Sequence, residues 1–230
     1  MKRMQAFLQN RPLRLSRQGL KKLLGRSPVL LRGLALVPVA AACHSLRNAL
    51  ALSVVMAFVL LPTLLLLSLI RRSLWEPMRL PAAALVAFVF YIPGWQTAKA
   101  LLPDISTRLG IFLPLLLVDT LLFCRAEESA YRETLGRTMC EGLLDLAGFV
   151  LVALLSGFVR ELAGMGTLMG QPVHLPWTTS LAILPAGGFI LLGFLAAGWR
   201  LCGEGIRRVY IRRSHRALIK RQRKGKEAEE

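Results

Sequence analysis

From Asn48 to Ile70 the chain runs 23 residues without a charged side chain, and Leu80–Ala98 (19 residues) and Thr178–Trp199 (22 residues) repeat the pattern. A helix needs about 20 apolar residues to cross roughly 30 Å of hydrocarbon. Water-soluble packing leaves three such helices nowhere to hide in a chain of 230 residues. The overall hydrophobic share, 54%, is close to that of soluble domains, so the clustering decides and not the total. The solvent of this chain is lipid, and its fold class is all-α integral membrane.

Three further stretches complete a six-span reading. Leu109–Cys124, LGIFLPLLLVDTLLFC, is apolar but carries Pro114 and Asp119, with 10 uncharged residues before the acid and 5 after it. It is too short to cross cleanly and is expected to be a broken helix. Val29 to about Ser45 has the same character: Arg32 intrudes early, Pro38 sits in the middle, and His44 and Arg47 end it. Gly142–Val159 is the remaining span, with Asp145 near its start, read as interfacial, and Arg160-Glu161 closing it. The segment Arg125–Glu141 reads as a short surface helix with glutamates paired to arginines, and Gly164–Pro172 as a Gly-rich loop. In chain order the expected domains are a basic tail (1–28), a six-helix membrane domain (29–200) and a second basic tail (201–230).

Six spans place both termini on one side. If that side is the cytoplasm of a cell membrane, it holds 26 of the 30 Lys and Arg residues, against Arg47, Lys99, Arg108 and Arg160 on the other. Basic residues gather in cytoplasmic loops, so the bias sets the orientation. It also accounts for the net charge of +17 without nucleic acid, since the charge lies on tails and loops rather than on a folded face with aromatics. The tails are suited to anionic lipid.

The halves 29–103 and 104–200 echo each other. Spans 1 and 4 are short and proline-interrupted (Pro38, Pro114); spans 2 and 5 share Phe-Val-Leu at 58–60 and 149–151 and end on Arg71 and Arg160; spans 3 and 6 open Leu-Pro-Ala at 80–82 and 184–186. Three spans per half make the repeat an inverted one. Paired interrupted segments in corresponding positions mark the functional centre of such a fold.

The ordered motifs Ser68–Arg72 with Arg79–Pro81, Leu109–Pro114, Arg125-Ala126-Glu127, Arg160-Glu161 with Gly164–Leu168, and Leu184–Gly187 with Phe189-Ile190 span about residues 19 to 200 in context. On these the chain resembles the E-type subunits of Rnf (Rsx) electron transport complexes, a family related to the D-type subunit of the sodium-translocating NADH:quinone oxidoreductase. The resemblance implies six helices in two inverted repeats and a homologous partner subunit of opposite orientation, among other Rnf-type subunits. It also implies an iron–sulfur cluster shared by cysteines of the half-helices, with electron flow coupled to Na⁺ or H⁺ transport.

At the family's ligand positions this chain has Val37 and Thr120, and the asparagine neighbours read as His44 and Asp119. Valine has no lone pair for iron, and a threonine hydroxyl is a poor ligand where thiolate is preferred. No cluster is therefore expected in this chain. Cys43 and Cys124, six and four residues further on, are about 9 Å and 6 Å away along a helix axis, and are better read as structural. Asp119 and His44 are candidates for an ion or proton path, as a central pair or as two groups at wet half-helix ends. Arg125 with Glu127, and Arg160 with Glu161, are expected to orient loops or anchor helix ends. Ser45 and Thr120 are expected to hydrogen-bond across helices, and Gly187 to permit close packing. No Ser/His/Asp set, Walker loop, dinucleotide fingerprint or zinc spacing occurs, so no catalytic residue is assigned and activity would belong to a complex. The alternatives are an inverted-repeat transporter or a cluster-less scaffold of the same descent.

Overall fold

The computed structural model of the chain describes residues 33–71, 73–103, 109–131, 133–173 and 178–201. The two basic tails, the start of the first expected span, His174 and Cys202 lie outside them. Among the described residues the helices are α1 Leu36–Ala42, α2 Leu46–Ile70, α3 Arg79–Leu101, α4 Thr120–Arg125, α5 Leu135–Met165 and α6 Pro185–Leu201. At 1.5 Å per residue α2, α3 and α5 are about 38, 35 and 46 Å long, enough to cross a bilayer; α6, at 17 residues, is shorter.

The helix α2 is the core. It lies between α3 and α5 and buries residues along most of its length, from Asn48 to Ser68. Leu52, Val55, Met56, Val59, Leu60 and Leu64 are inaccessible. It runs antiparallel to α5, since Gly142 opposes Leu64 and Gly157 opposes Ala49. A Cβ on Gly142 would stand 2.7 Å from Leu64 Cδ1, and one on Gly157 2.9 Å from Ala49 Cβ. Small residues at both crossings let the backbones approach, the usual means of helix association where lipid removes the hydrophobic drive. The helix α3 joins through a narrow stripe of small residues, Ala83, Ala87, Gly94 and Ala98, and presents Leu85, Phe88, Val89 and Ile92 outward.

The two short expected spans are indeed broken. Leu109–Cys124 folds as 3-10 turns at Gly110–Phe112 and Pro114–Val118, an extended residue at Asp119, and then α4. The helix α1 follows Gly33 (φ 70°) and Ala35 (φ 57°), two left-handed residues in close succession that turn the chain into it. Pro38 is not central but the third residue of α1, where its missing N–H would be unbonded anyway. Pro114 lies outside an α-helix altogether, at the first position of a 3-10 turn.

Several boundaries correct the expectation. Arg125–Glu141 is not a surface helix: α4 runs on into a π turn, Ala126–Ala130, and α5 begins at Leu135. Arg160 and Glu161 do not close α5; they lie within it, 1% and 3% exposed, and the helix continues to a left-handed cap at Gly166. Asp145, near the start of the expected span, is buried against protein. Thr178–Trp199 begins with a 3-10 turn at Ser180–Ala182 before α6 starts at Pro185. After α5, the Gly-rich loop forms a hairpin of β1 Thr167–Leu168 and β2 Gln171–Pro172. Its two turn residues, Met169 and Gly170, both have positive φ, as a two-residue hairpin of the right twist requires.

Candidate functional site

The broken segments meet at their N-terminal ends. Ala35, the residue before α1, donates its N–H to the hydroxyl of Thr120, the first residue of α4, at 3.2 Å. Eighty-five positions separate the two in sequence. Ala35 is buried, whereas Thr120 is exposed near Val118 (70% exposed), and Val37 is 53% exposed. The junction is thus buried on one side and open at the protein's outer surface on the other.

Asp119 stands at this junction as the residue before α4, 5% exposed. The Thr120 hydroxyl and the N–H groups of Thr120 and Leu121 lie beside its carboxylate, but Oδ2 is buried with no hydrogen-bond partner among the described residues. His44 instead meets Asn48, whose Nδ2 is 3.0 Å from His44 Nε2. Ser45 caps its own helix, accepting the Asn48 N–H at 3.3 Å, so of the two hydroxyls it is Thr120 that bonds across segments.

The far end of α1 is held by Arg160. Its Nη1 donates to the carbonyls of Ala40 (2.6 Å) and Cys43 (3.2 Å), its Nε to Ala182 (2.8 Å) and its Nη2 to Ile183 (2.9 Å) and Leu184 (3.0 Å). Five backbone acceptors from two chain breaks converge on one guanidinium. This is how a charge is tolerated inside an apolar domain, and it satisfies carbonyls that α1 leaves without partners at its C-terminus. Gly188 makes room for it, because a Cβ there would collide with the Ala40 carbonyl and approach Arg160; Gly187 likewise faces the Leu181 carbonyl. Glu161 turns the other way, accepting the N–H of Leu46 at 2.7 Å and that of Gly170 at 3.3 Å. Arg47 completes the clasp on the hairpin by donating to the Met169 carbonyl.

The far end of α4 is held differently. Arg125 pairs with the buried Asp145, with Glu141 at 3.2 Å and with Glu128 at 3.6 Å. Glu127 lies near Tyr131. The Tyr131 hydroxyl donates to the Arg79 carbonyl at 2.8 Å and its ring lies under the Arg79 guanidinium. Burial first, and the Glu127 carboxylate second, push that phenol up to about 12, with Arg79 opposing. Arg71 reaches the Glu133 carbonyl.

The donor set does not suit an iron–sulfur cluster. Thr120 meets the residue before α1, but neither it nor Val37 carries a thiolate. Cys43 caps the opposite end of α1, fully buried, and Cys124 lies late in α4. Sequence reasoning missed the Arg160 cage and the Arg125–Asp145 pair. The only signal was charge inside an apolar stretch, which also marks the end of a span.

Residues 16–196 match a family described as Rnf-Nqr subunit, membrane protein. Among relatives, a protein of Shewanella oneidensis is 34% identical over 200 residues, covering 78% of this chain and 83% of its own. One of Pseudomonas paraeruginosa is 35% identical over 208 residues (80% and 85%). One of Pseudoalteromonas atlantica is 30% identical over 224 residues (91% and 95%). All three are named as the E-type subunit of an ion-translocating oxidoreductase complex.

Proposed function

The chain belongs to the Rnf-Nqr family of membrane subunits, and we propose that it serves as the E-type subunit of an ion-translocating oxidoreductase complex, docking a second membrane subunit of the same architecture and opposite orientation through the face that carries the α1–α4 junction. The observation that carries this docking is the junction itself. Non-helical backbone at membrane depth is tolerated where protein covers it, and the outer side of the junction, with Val37 at 53%, Val118 at 70% and Thr120 exposed, is left uncovered by the described residues of this chain. A second protein surface seated there covers it.

An inverted repeat of six spans is supported by the order of elements, short–long–long (α1, α2, α3) and then short–long–medium (α4, α5, α6). The two arginines aligned by sequence also do corresponding work. Arg71, just after α2, bonds a carbonyl in the α4–α5 link, and Arg160 on α5 bonds carbonyls at the α1–α2 link. The distribution of basic residues favours cytoplasmic termini in the cell membrane, and the basic tails favour anionic lipid. This chain contributes no cluster ligand in the proposal, and its part in electron or ion passage is to shape the path. The oxygen-bearing Asp119 and Thr120 at the junction favour a second version, an inverted-repeat transporter or scaffold of the same descent.

Cysteine crosslinking in native membranes tests the docking. Val118→Cys and Leu85→Cys are equally exposed positions of the chain, both at 70%. The expected result is a crosslink to a homologous membrane subunit from position 118 and none from 85 on α3. Crosslinks from 85 alone would overturn the assignment of the face.

A further inference from the structure

We infer that Asp119 holds a small monovalent cation, a sodium ion or a proton, at the junction of the two broken segments. The inference deepens the ion-translocating assignment and rests on it only for the route by which the ion arrives.

Asp119 is 5% exposed and sits inside a stretch that is otherwise apolar from Leu109 to Cys124. An ionised carboxylate moved into such surroundings without compensation costs far more than a fold can supply. Compensation by a basic side chain is absent among the described residues. Arg125, six positions on, is committed to Asp145, Glu141 and Glu128. Arg160 is committed to five carbonyls. His44 is turned to Asn48. The N–H groups that begin α4 answer part of the charge, but Oδ2 is left bare and buried. A group in this condition binds a proton or a cation.

The neighbours suit a hard, small cation. Thr120 receives the Ala35 N–H on its hydroxyl oxygen, which leaves that hydroxyl's own proton free to point at the carboxylate or to yield to an incoming ion. Carboxylate and hydroxyl oxygens are ligands for hard cations, whereas they serve iron–sulfur clusters poorly. Access is short: the residues on either side, Val118 and Thr120, both reach the outer surface. Binding at Asp119 also touches both breaks at once, because Thr120 is bonded to the residue that starts α1.

The test is carbodiimide labelling of the intact complex in native membranes, with modification at Asp119 read by mass spectrometry. Such reagents attack a carboxyl group in apolar surroundings. Labelling is followed with sodium chloride against choline chloride at fixed ionic strength, and across pH without sodium. Loss of labelling on adding sodium at fixed pH identifies a sodium site. Labelling that persists at neutral pH without sodium, where an ordinary carboxyl is already ionised and unreactive, and falls only above it identifies a proton site. Either result supports the inference, and labelling that vanishes below neutral pH and ignores sodium overturns it. Absence of label at Asp119 under every condition, or label indifferent to both sodium and pH, overturns it. Asp119→Asn is expected to remove the label while keeping the Val118→Cys crosslink. If crosslinking fails while labelling responds to the cation, the docking face is wrong and the cation site stands; the reverse pattern rejects the cation site alone.

Discussion

The two half-helices end in opposite ways. The C-terminus of α1 is closed by an arginine that arrives from another helix and finds only backbone carbonyls. The C-terminus of α4 is closed by an arginine of its own, which gathers carboxylates from α5 and the π turn. The first arrangement is written in main-chain geometry. The second is written in side chains and can be exchanged for another set of side chains. The fold therefore has one clamp that no second mutation can replace and one that can be redesigned.

The largest effect expected from this difference is at Arg160. Arg160→Gln orphans several of five buried carbonyls, each costing about 1–3 kcal/mol, and together they exceed the ~4–5 kcal/mol that a single substitution rarely passes. Loss of folded protein from the membrane fraction is the outcome, and Arg160→Lys falls almost as far, because an ammonium lacks the planar fork. Arg125→Ala costs about 3–5 kcal/mol by stranding Asp145, measured by thermal unfolding in detergent. Adding apolar replacements, Arg125→Met with Asp145→Leu, recovers most of that loss. Failure of the double variant to recover would mean that the α4 clamp also depends on main-chain acceptors.

Smaller effects test the edges. Tyr131→Phe removes one hydrogen bond to the Arg79 carbonyl, worth about 1 kcal/mol. The phenol's value in the fold, about 12, lies above its ordinary value of 10.0. The fold therefore favours the neutral form: this contribution is fully present below pH ~10 and is lost as pH rises through ~12. Wild type and the Phe variant should differ in alkaline stability and converge at the top of that window. Ala35→Gly is the smallest change. It relieves a left-handed alanine, φ 57°, so Tm should hold or rise, with a gain of at most about 1 kcal/mol. A fall in Tm would show that the alanine methyl packs for more than its strain costs.

How much of this was legible in the sequence depends on where each partner lies. The helices α2 and α3 start and end within about three residues of their charge-free runs, because hydrocarbon length and flanking arginines decide both. The broken character of Leu109–Cys124 followed from Pro114 and Asp119 alone. The sequence misled where charge was read as the end of a span. Arg160 and Glu161 are inside α5 because their partners are backbone groups of other segments, and local pattern carries no trace of these; nor does it relate Asp145, expected inside the span, to Arg125. The same holds for the Ala35–Thr120 bond, which no spacing rule relates. Pro38 was visible as an interruption, but not as a residue of the first turn, since that depends on the left-handed Ala35 just before α1.

Disulfide formation between Ala35→Cys and Thr120→Cys, in a chain whose native cysteines are replaced, measures most directly whether the two broken segments meet. Mild oxidation in native membranes should link this pair as readily as a control pair placed at Leu168 and Gln171, which face each other across the β1–β2 hairpin. A control pair that links while 35 and 120 stay apart would contradict the convergence on which the docking face and the cation site both stand.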